Sequence, residues 1–282
     1  MKMRLTSSLN NDIQAACESA SRALTDARLN VAALKAFPGQ LPDTMEQAYA
    51  IQSASIDSWN DRVAGWKVAM MPVSHRAIWD TDRLCGPIFA DSVISTPDCV
   101  PVSVPIFPAG FAAVEAEFVL VMGHTVLPQQ RTYTNEELTE LVQSMHIGVE
   151  IAGSPLATIN QIGPAAVISD FGNNAGLVFG PLIKDGLSKA LDTLHVNVEI
   201  DQKTVGEATA ASIPGGPLQA LRFLLDICAA RNITVSKGEL ISTGAVTGVH
   251  EVNSNAQSRI HFEGVGQLDL TFVTIQPHHV PN

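Results

Sequence analysis

Basic residues are scarce in this chain. Its 282 residues include 17 Lys and Arg against 28 Asp and Glu, a formal net charge of -11, and the basic residues form no cluster. Phosphate recognition needs a positive footprint, so no nucleic-acid partner is expected, and no anionic membrane surface either. No apolar run reaches the roughly 18 residues that a membrane helix needs. The opening stretch, Met1 to Ser8, carries positive charge but leads into Asn10, Asn11 and Asp12 rather than an apolar segment, so no secretory leader is expected. The cysteines Cys17, Cys85, Cys99 and Cys228 lack C-x-x-C spacing. That speaks against a disulfide frame or a zinc site and for ordinary thiols in a cytoplasmic protein. No repeat of fixed period and no low-complexity segment is visible.

What is present is enough apolar residue to build a large core, 46% hydrophobic against 16% charged. Residues from about 9 to 35 carry Ile13, Ala16, Cys17, Ala20 and Leu24 at helical spacing. A second helix is predicted from Thr44, where Thr44 and Gln47 form a capping pair. Beyond residue 62 the texture changes to short runs of Val, Ile and Phe broken by Pro and Gly. Strands are predicted near 63–70, 84–91, 114–122, 147–151, 195–200, 239–243, 258–263 and 267–274. A loop is expected after residue 70, and an irregular stretch around Pro97, Pro101, Pro105 and Pro108. Thr134 with Glu137 opens a further helix carrying Leu138, Leu141, Val142 and Met145, and Pro217 to Arg231 forms another. The expected class is α+β, with a helical N-terminal cap over 1–62 and a β-rich body over 63–282.

Two acids stand out in that body. Glu115 and Glu117 lie in an otherwise apolar strand, and residues two apart on a strand point to one face. Two carboxylates aimed at one spot repel unless something positive sits between them. Glu150 occurs in a similar apolar strand. Three such carboxylates suit a hard divalent cation such as Mg2+ or Mn2+. The competing reading of the pair is a solvated edge-strand face. Lys67 interrupts the apolar run 63–70, either as part of a site or as a side chain whose amine reaches water at a strand end. Asp170 precedes a Gly/Asn-rich turn, where a cap for the turn is the alternative. The histidines stand singly, and the His278-His279 pair falls in the C-terminal tail.

The ordered segments Gly65-Trp66-Lys67-Val68, Cys85-Gly86-Pro87-Ile88-Phe89, Val114-Glu115-Ala116-Glu117-Phe118, Gly148-Val149-Glu150-Ile151, Asp170 to Gly180, and Gly238 to Gly244 resemble the fumarylacetoacetate hydrolase superfamily, in its 2-keto-4-pentenoate hydratase and 4-oxalocrotonate decarboxylase branch. The resemblance spans roughly residues 40 to 275. It implies a twisted β-roll with an acidic metal site in its mouth. By that likeness Glu115, Glu117 and Glu150 hold Mg2+ or Mn2+, Lys67 is an active-site lysine that binds substrate or shuttles a proton, Asp170 is catalytic and Asn173 contacts substrate. A homo-oligomer is also implied. The chain departs from the branch after Glu150, where Ile151-Ala152-Gly153-Ser154-Pro155 lacks its Asp and Arg, and after Asp170, where Phe171-Gly172-Asn173 replaces Asn-Ala-Ser. Both departures leave the expected metal ligands intact and bear on the substrate.

The leading expectation is a hydratase that adds water to a 2-hydroxy-2,4-dienoate from aromatic or ring degradation, giving a 4-hydroxy-2-oxo acid. A decarboxylase of a 2-oxo-3-enedioate would use the same metal-stabilised dienolate. A C–C hydrolase of an acylpyruvate ranks below both, because no His-Glu pair accompanies the N-terminal part. A catalytically silent partner subunit is the non-enzymatic alternative, and retention of all three glutamates and Lys67 argues against it.

Overall fold

The computed structural model describes residues 11–187 and 193–277. The first ten residues and the His278-His279 pair lie outside them. The architecture is α+β: two helices, then two sheets whose connections carry short helices. Helix α1 (Asn11–Leu29) packs on α2 (Met45–Ser58). The Thr44 hydroxyl accepts from the Gln47 backbone N–H and so satisfies one of the free donors at the start of α2. Strand β1 (Val63–Met70) leads into α3 (Val73–Trp79), then β2 (Arg83–Phe89), β3 (Val93–Ser95), β4 (Val102–Ile106) and β5 (Phe111–Met122). Helix α4 (Asn135–Leu141) runs into β6 (Val142–Ser154). Helices α5 (Ile159–Ile162) and α6 (Pro164–Ser169) precede β7 (Asn174–Leu182). Strands β8 (His195–Ile200) and β9 (Lys203–Thr209), helix α7 (Gly216–Ala230), and strands β10 (Leu240–Ser242), β11 (His250–Glu251), β12 (Gln257–Phe262) and β13 (Gly266–Thr274) complete it.

The first sheet has the order β2-β1-β10-β5-β6-β7-β3, with β11 pairing to β5; the second is β4-β13-β12-β8-β9. Strands β5 and β6 are buried along almost their whole lengths. Their apolar runs therefore read continuously rather than alternating, as expected for strands covered on both faces. Strand β12 alternates exposed and buried, so its sheet meets solvent on one side. The two sheets share one core, to which Phe118, Leu120, Ile147, Val149, Ile260, Phe262 and Phe272 belong. Helix α7 presents Leu221, Leu224, Leu225 and Cys228 to the same core. Among the described residues no helix is long and apolar enough to cross a membrane.

Three of the differences between the structure and the sequence expectations have a plain physical reason. The loop expected after residue 70 contains α3, whose residues are all at least partly exposed, so no apolar periodicity marks it. The helix opened by the Thr134 capping box stops at Leu141, and Val142 and Met145 lie in β6. Pairing of Val142 with Met122 and of Met145 with Leu120 overrides the helical spacing, and the β-branched valine is at home in the strand. The proline-rich stretch holds β3 and β4, and Pro105 is tolerated because β4 is the edge strand of the second sheet.

The first sheet is strongly curled. Lys67 on β1 and Glu150 on β6 are separated by β10 and β5. Adjacent strands lie ~4.8 Å apart, so a flat sheet would hold these two backbones about 14 Å apart, more than the two side chains can comfortably bridge. Their charged atoms nonetheless meet at 3.2 Å. Curvature is what turns residues from four strands toward one point.

The helical N-terminal part is fastened to the body by polar as well as apolar contacts. Met45, Ala48 and Tyr49 of α2 belong to the main core. The Gln52 amide donates to the carbonyls of Cys85 at 3.0 Å and Ile168 at 2.8 Å.

Candidate active site

Strand register brings the acids together. Glu115 lies directly opposite Glu150 in the β5–β6 ladder, and Glu117 faces Gly148. The three glutamates place carboxylate oxygens within 4.8 Å of one another. Glu117 and Glu150 are fully buried and Glu115 is 6% exposed. The solvated-edge reading of Glu115 and Glu117 therefore does not hold.

Each carboxylate is oriented by a different element. Glu117 Oε2 accepts from the Ser242 hydroxyl on β10 and from the Gly244 backbone N–H at 2.8 Å. Glu150 Oε1 accepts from the Asn174 amide at 3.0 Å and faces Lys67 Nζ at 3.2 Å. Glu117 Oε1 and Glu150 Oε2 are buried with no hydrogen-bond partner. Unpaired buried carboxylate oxygens are costly, and here the two belong to one cluster.

The electrostatics point the same way. Burial pushes the Glu115 carboxyl up to about 7, helped by Glu150 and opposed by Lys67. Burial also pushes Glu117 well above the usual carboxylate range, with Glu150 and Glu115 adding to it and the bonds from Ser242 and Gly244 opposing it. For Lys67, burial pulls the pKa down, but Glu150, Glu115 and Glu117 together outweigh it, so the ammonium ends above its ordinary value. With all groups ionised, three negative charges face one positive charge. A divalent cation would bring that sum to zero and give the two orphaned oxygens a partner. The donor set, oxygen only, suits a hard ion.

Lys67 and Glu115 open onto a cavity of about 610 Å³, whose walls include Asn160, Asn173, Val167, Val246 and Arg76. Asn173 is buried; its amide N–H lies 3.5 Å from Asn160 Oδ1, and its own Oδ1 has no partner. It sits in a tight turn in which Phe171, Gly172 and Asn173 all have positive φ (54°, 68° and 62°). That conformation is strained for non-glycine residues, and strain of this kind gathers at functional sites. The turn lies flat on β2. A Cβ at Gly86, the cross-strand neighbour of Lys67, would come within 2.0 Å of the Phe171 carbonyl oxygen, so only glycine fits there.

Asp170 precedes this turn and is not among the residues that line the cavity. Its Oδ1 takes a 2.5 Å ion pair from Arg28 Nε, and its Oδ2 accepts from the Ser154 hydroxyl at 2.5 Å. Both oxygens are thus engaged. Arg28, in the last turn of α1, also donates to the carbonyls of Asn174 at 3.0 Å and Gly153 at 2.8 Å, and its guanidinium lies over Phe107 and Phe171. It fixes both ends of the turn that carries Asn173, and the backbone of Asn174, whose amide holds Glu150. Arg28, Asn174 and Ser242 were not legible as site residues. A lone arginine in a helix carries no sequence signal. Ser242 lies in a segment that the resemblance marks, but nothing there singles out its hydroxyl.

Residues 74–273 match the family described as fumarylacetoacetate (FAA) hydrolase C-terminal. The chain is 26% identical over 270 residues to a 2-keto-4-pentenoate hydratase of Paraburkholderia xenovorans (strain LB400), covering 93% of this chain and 97% of that protein. It is 22% identical over 231 residues to 2-keto-4-pentenoate hydratase 2 of Dechloromonas aromatica (strain RCB), covering 80% and 86%. Its fold matches 4-oxalocrotonate decarboxylase from Pseudomonas putida G7, solved with magnesium and adipate, at a TM-score of 0.75 and 18% identity over 96% of this chain and all of that one. Fumarylpyruvate hydrolase from Pseudomonas aeruginosa, solved with Mn2+ and pyruvate, matches at 0.55 and 14% identity, over 78% of this chain and 94% of that one.

Arg28 and Asp170 form a buried ion pair, and removing one partner strands the other. Arg28→Met is expected to cost roughly 3–5 kcal/mol of stability, read by urea denaturation; a loss below about 1 kcal/mol would show that the pair does not hold the turn. The glutamate cluster sets a pH dependence. Folded, Glu115 binds its proton up to about 7, whereas its ordinary value is 4.5. Metal-free protein therefore loses this contribution to stability as pH rises from 4.5 through about 7. It should melt lower at pH 8 than at pH 5.5, and saturating Mg2+ should raise the melting temperature most at pH 8, where the ligands are deprotonated. Glu115→Gln should flatten the metal-free dependence. A dependence that the substitution leaves unchanged would sink this account.

Proposed function

The chain belongs to the fumarylacetoacetate hydrolase family, and from that premise we propose that it is a Mg2+- or Mn2+-dependent hydratase of a 2-hydroxy-2,4-dienoate. The observation that carries this reading is the set of three buried glutamates with one lysine at the edge of a cavity of small-molecule size. The long-range similarity to 2-keto-4-pentenoate hydratases supports the choice of reaction.

Glu115, Glu117 and Glu150 would hold the cation. When bound, it supplies Lewis acidity for the carboxylate and 2-oxygen of the substrate, lowering the energy of negative charge that develops there. The protein's own groups do the rest. Lys67, held protonated by its three acidic neighbours, adds a fixed positive charge beside the substrate carboxylate. Its Nζ can also pass a proton into the cavity as the dienol becomes a 2-oxo-3-enoate. That step moves the enol proton off the 2-oxygen and places one on C5. Water then adds to C4 and a proton to C3, giving a 4-hydroxy-2-oxo acid with one water gained. The free Oδ1 of Asn173 is an acceptor for that water. Asp170 acts through the turn it anchors, as a positioning residue. The walls contributed by Val167, Val246 and Ile213 limit solvent around the dienolate.

The test is a substrate screen with added Mg2+ or Mn2+, following loss of dienol absorbance with CO2 scored in parallel. Metal-dependent loss without CO2 is the expected result. Stoichiometric CO2 would move the chain to decarboxylation of a 2-oxo-3-enedioate. Lys67→Met should lower kcat by about 10²–10⁴-fold. Glu117→Gln should abolish metal-dependent turnover with unchanged far-UV circular dichroism, and full turnover by that variant would refute the metal site.

A further inference from the structure

Helix α1 lies mainly on α2, and its buried Cys17, Ala20 and Leu24 form with Ile51 a small apolar cluster of their own. Among the described residues, none from α1 belongs to the main core; Leu34 and Phe37, beyond its end, pack against both clusters. A helix outside the main core opens at lower cost than the strands within it. Yet the last turn of this helix sets one buried guanidinium against the frame of the glutamate site. Arg28 Nε meets Asp170 Oδ1 at 2.5 Å, and Nη1 donates to the Asn174 carbonyl at 3.0 Å. Nη2 donates to the carbonyls of Gly153 at 2.8 Å and Asp170 at 3.2 Å. Oxygens from β6, from the end of α6 and from the start of β7 thus close on one planar group. A lysine ammonium, a compact point charge, cannot reproduce that fixed fan of donors.

The contact with Asn174 falls where the β6–β7 ladder breaks. Ile151 pairs with Gly176 but Ala152 pairs with Asn174, so β7 carries one extra residue, Ala175, at this point. Such a bulge leaves the extra residue unpaired and re-aims the side chains beside it. Here it aims Asn174 at Glu150: the amide donates to Glu150 Oε1 at 3.0 Å and to the Gly176 carbonyl at 3.3 Å, across the bulge. Glu150 Oε2 is left without a partner in the glutamate cluster. Pairing to β6 is interrupted here, and the bond from Arg28 holds the Asn174 backbone in place. The path from α1 to a candidate metal ligand is therefore short: Arg28 to the Asn174 carbonyl, then the Asn174 amide to Glu150.

We propose that Arg28 is a positioning residue that couples docking of α1 to cation binding at Glu115, Glu117 and Glu150. The inference rests on the metal-site reading of those glutamates and adds a regulation of that site. With α1 docked, the bulge is braced and Asn174 holds Glu150 with its second oxygen free for the cation. With α1 lifted, that brace is gone and Glu150 is no longer pre-set. Linkage makes the effect reciprocal: the factor that docking adds to cation affinity is the factor that the bound cation adds to docking of α1.

The experiment reads two quantities on the full chain: Mn2+ affinity by calorimetry, and backbone hydrogen exchange in α1 by mass spectrometry, with α7 as the reference for global stabilisation. Arg28→Lys keeps the charge and loses the fan of donors. Asn174→Ala keeps the carbonyl that Arg28 holds and removes the amide that reaches Glu150. Both variants are expected to bind Mn2+ about tenfold more weakly than the wild type, the scale usual for residues that orient a metal's ligands. In the wild type, saturating Mn2+ should slow exchange in α1 by about the same factor, beyond any change in α7. In Asn174→Ala that added protection should vanish while metal-free exchange of α1 stays as in the wild type, an outcome that a purely structural tie would not produce. Undiminished Mn2+ affinity in either variant, α1 exchange that ignores Mn2+ in the wild type, or protection that survives Asn174→Ala would overturn the coupling. Should Arg28→Lys fail to fold, the wild type and Asn174→Ala decide the question by themselves. The metal reading fails separately, if the wild type binds no Mn2+, and this inference then falls with it; Mn2+ binding without added protection of α1 removes the coupling alone.

Discussion

Three carboxylates buried against one ammonium is the constraint around which the rest of this protein is arranged. Each glutamate stands in an apolar strand and gains nothing from burial on its own. The arrangement persists because neighbouring elements satisfy some oxygens and leave others free. Ser242 and Gly244 take one oxygen of Glu117; Asn174 and Lys67 take one of Glu150. The oxygens left over converge within one cluster. The burial that raises the pKa of Glu115 and Glu117 is the same burial that makes a divalent cation the natural counter-charge.

That geometry depends on elements far from it in sequence. The curl of the first sheet lets Lys67 reach across two strands to Glu150. Arg28, from the N-terminal helix, ties Asp170, Gly153 and Asn174 together across more than a hundred residues of chain. Asn174 passes that constraint to Glu150 through its side chain. The N-terminal helices are thus part of the frame of the site as well as of the fold. Gly86 completes the frame on the other side, since only a residue without Cβ lets the strained 171–173 turn rest against β2.

The cavity lies against this frame. It opens beside Lys67 and Glu115, its middle is lined by apolar side chains, and Arg76 on its wall donates from Nε to the Met71 carbonyl. Arg76 is brought to the cavity by α3, a short helix with no buried residue, which nothing in the strand pattern constrains.

Local sequence carries the class and most of the strands, and it singles out Glu115, Glu117 and Glu150 as candidates. Period-2 placement in apolar runs puts Glu115 and Glu117 on one face, and capping pairs at Thr44 and Thr134 open two helices where they are observed. These are local effects, set by neighbours in the chain. The rest depends on contacts between residues far apart in the chain. The register that sets Glu115 opposite Glu150 depends on pairing between distant strands. The engagement of Asp170 depends on Arg28, 142 residues away. The exits of α4 into β6 and of β1 into α3 follow from packing that overrides helical spacing or leaves none to read. Asp170 shows the division most clearly: its turn is written in the local glycine and asparagines, but a carboxylate is free or committed only according to the cation that folding brings beside it.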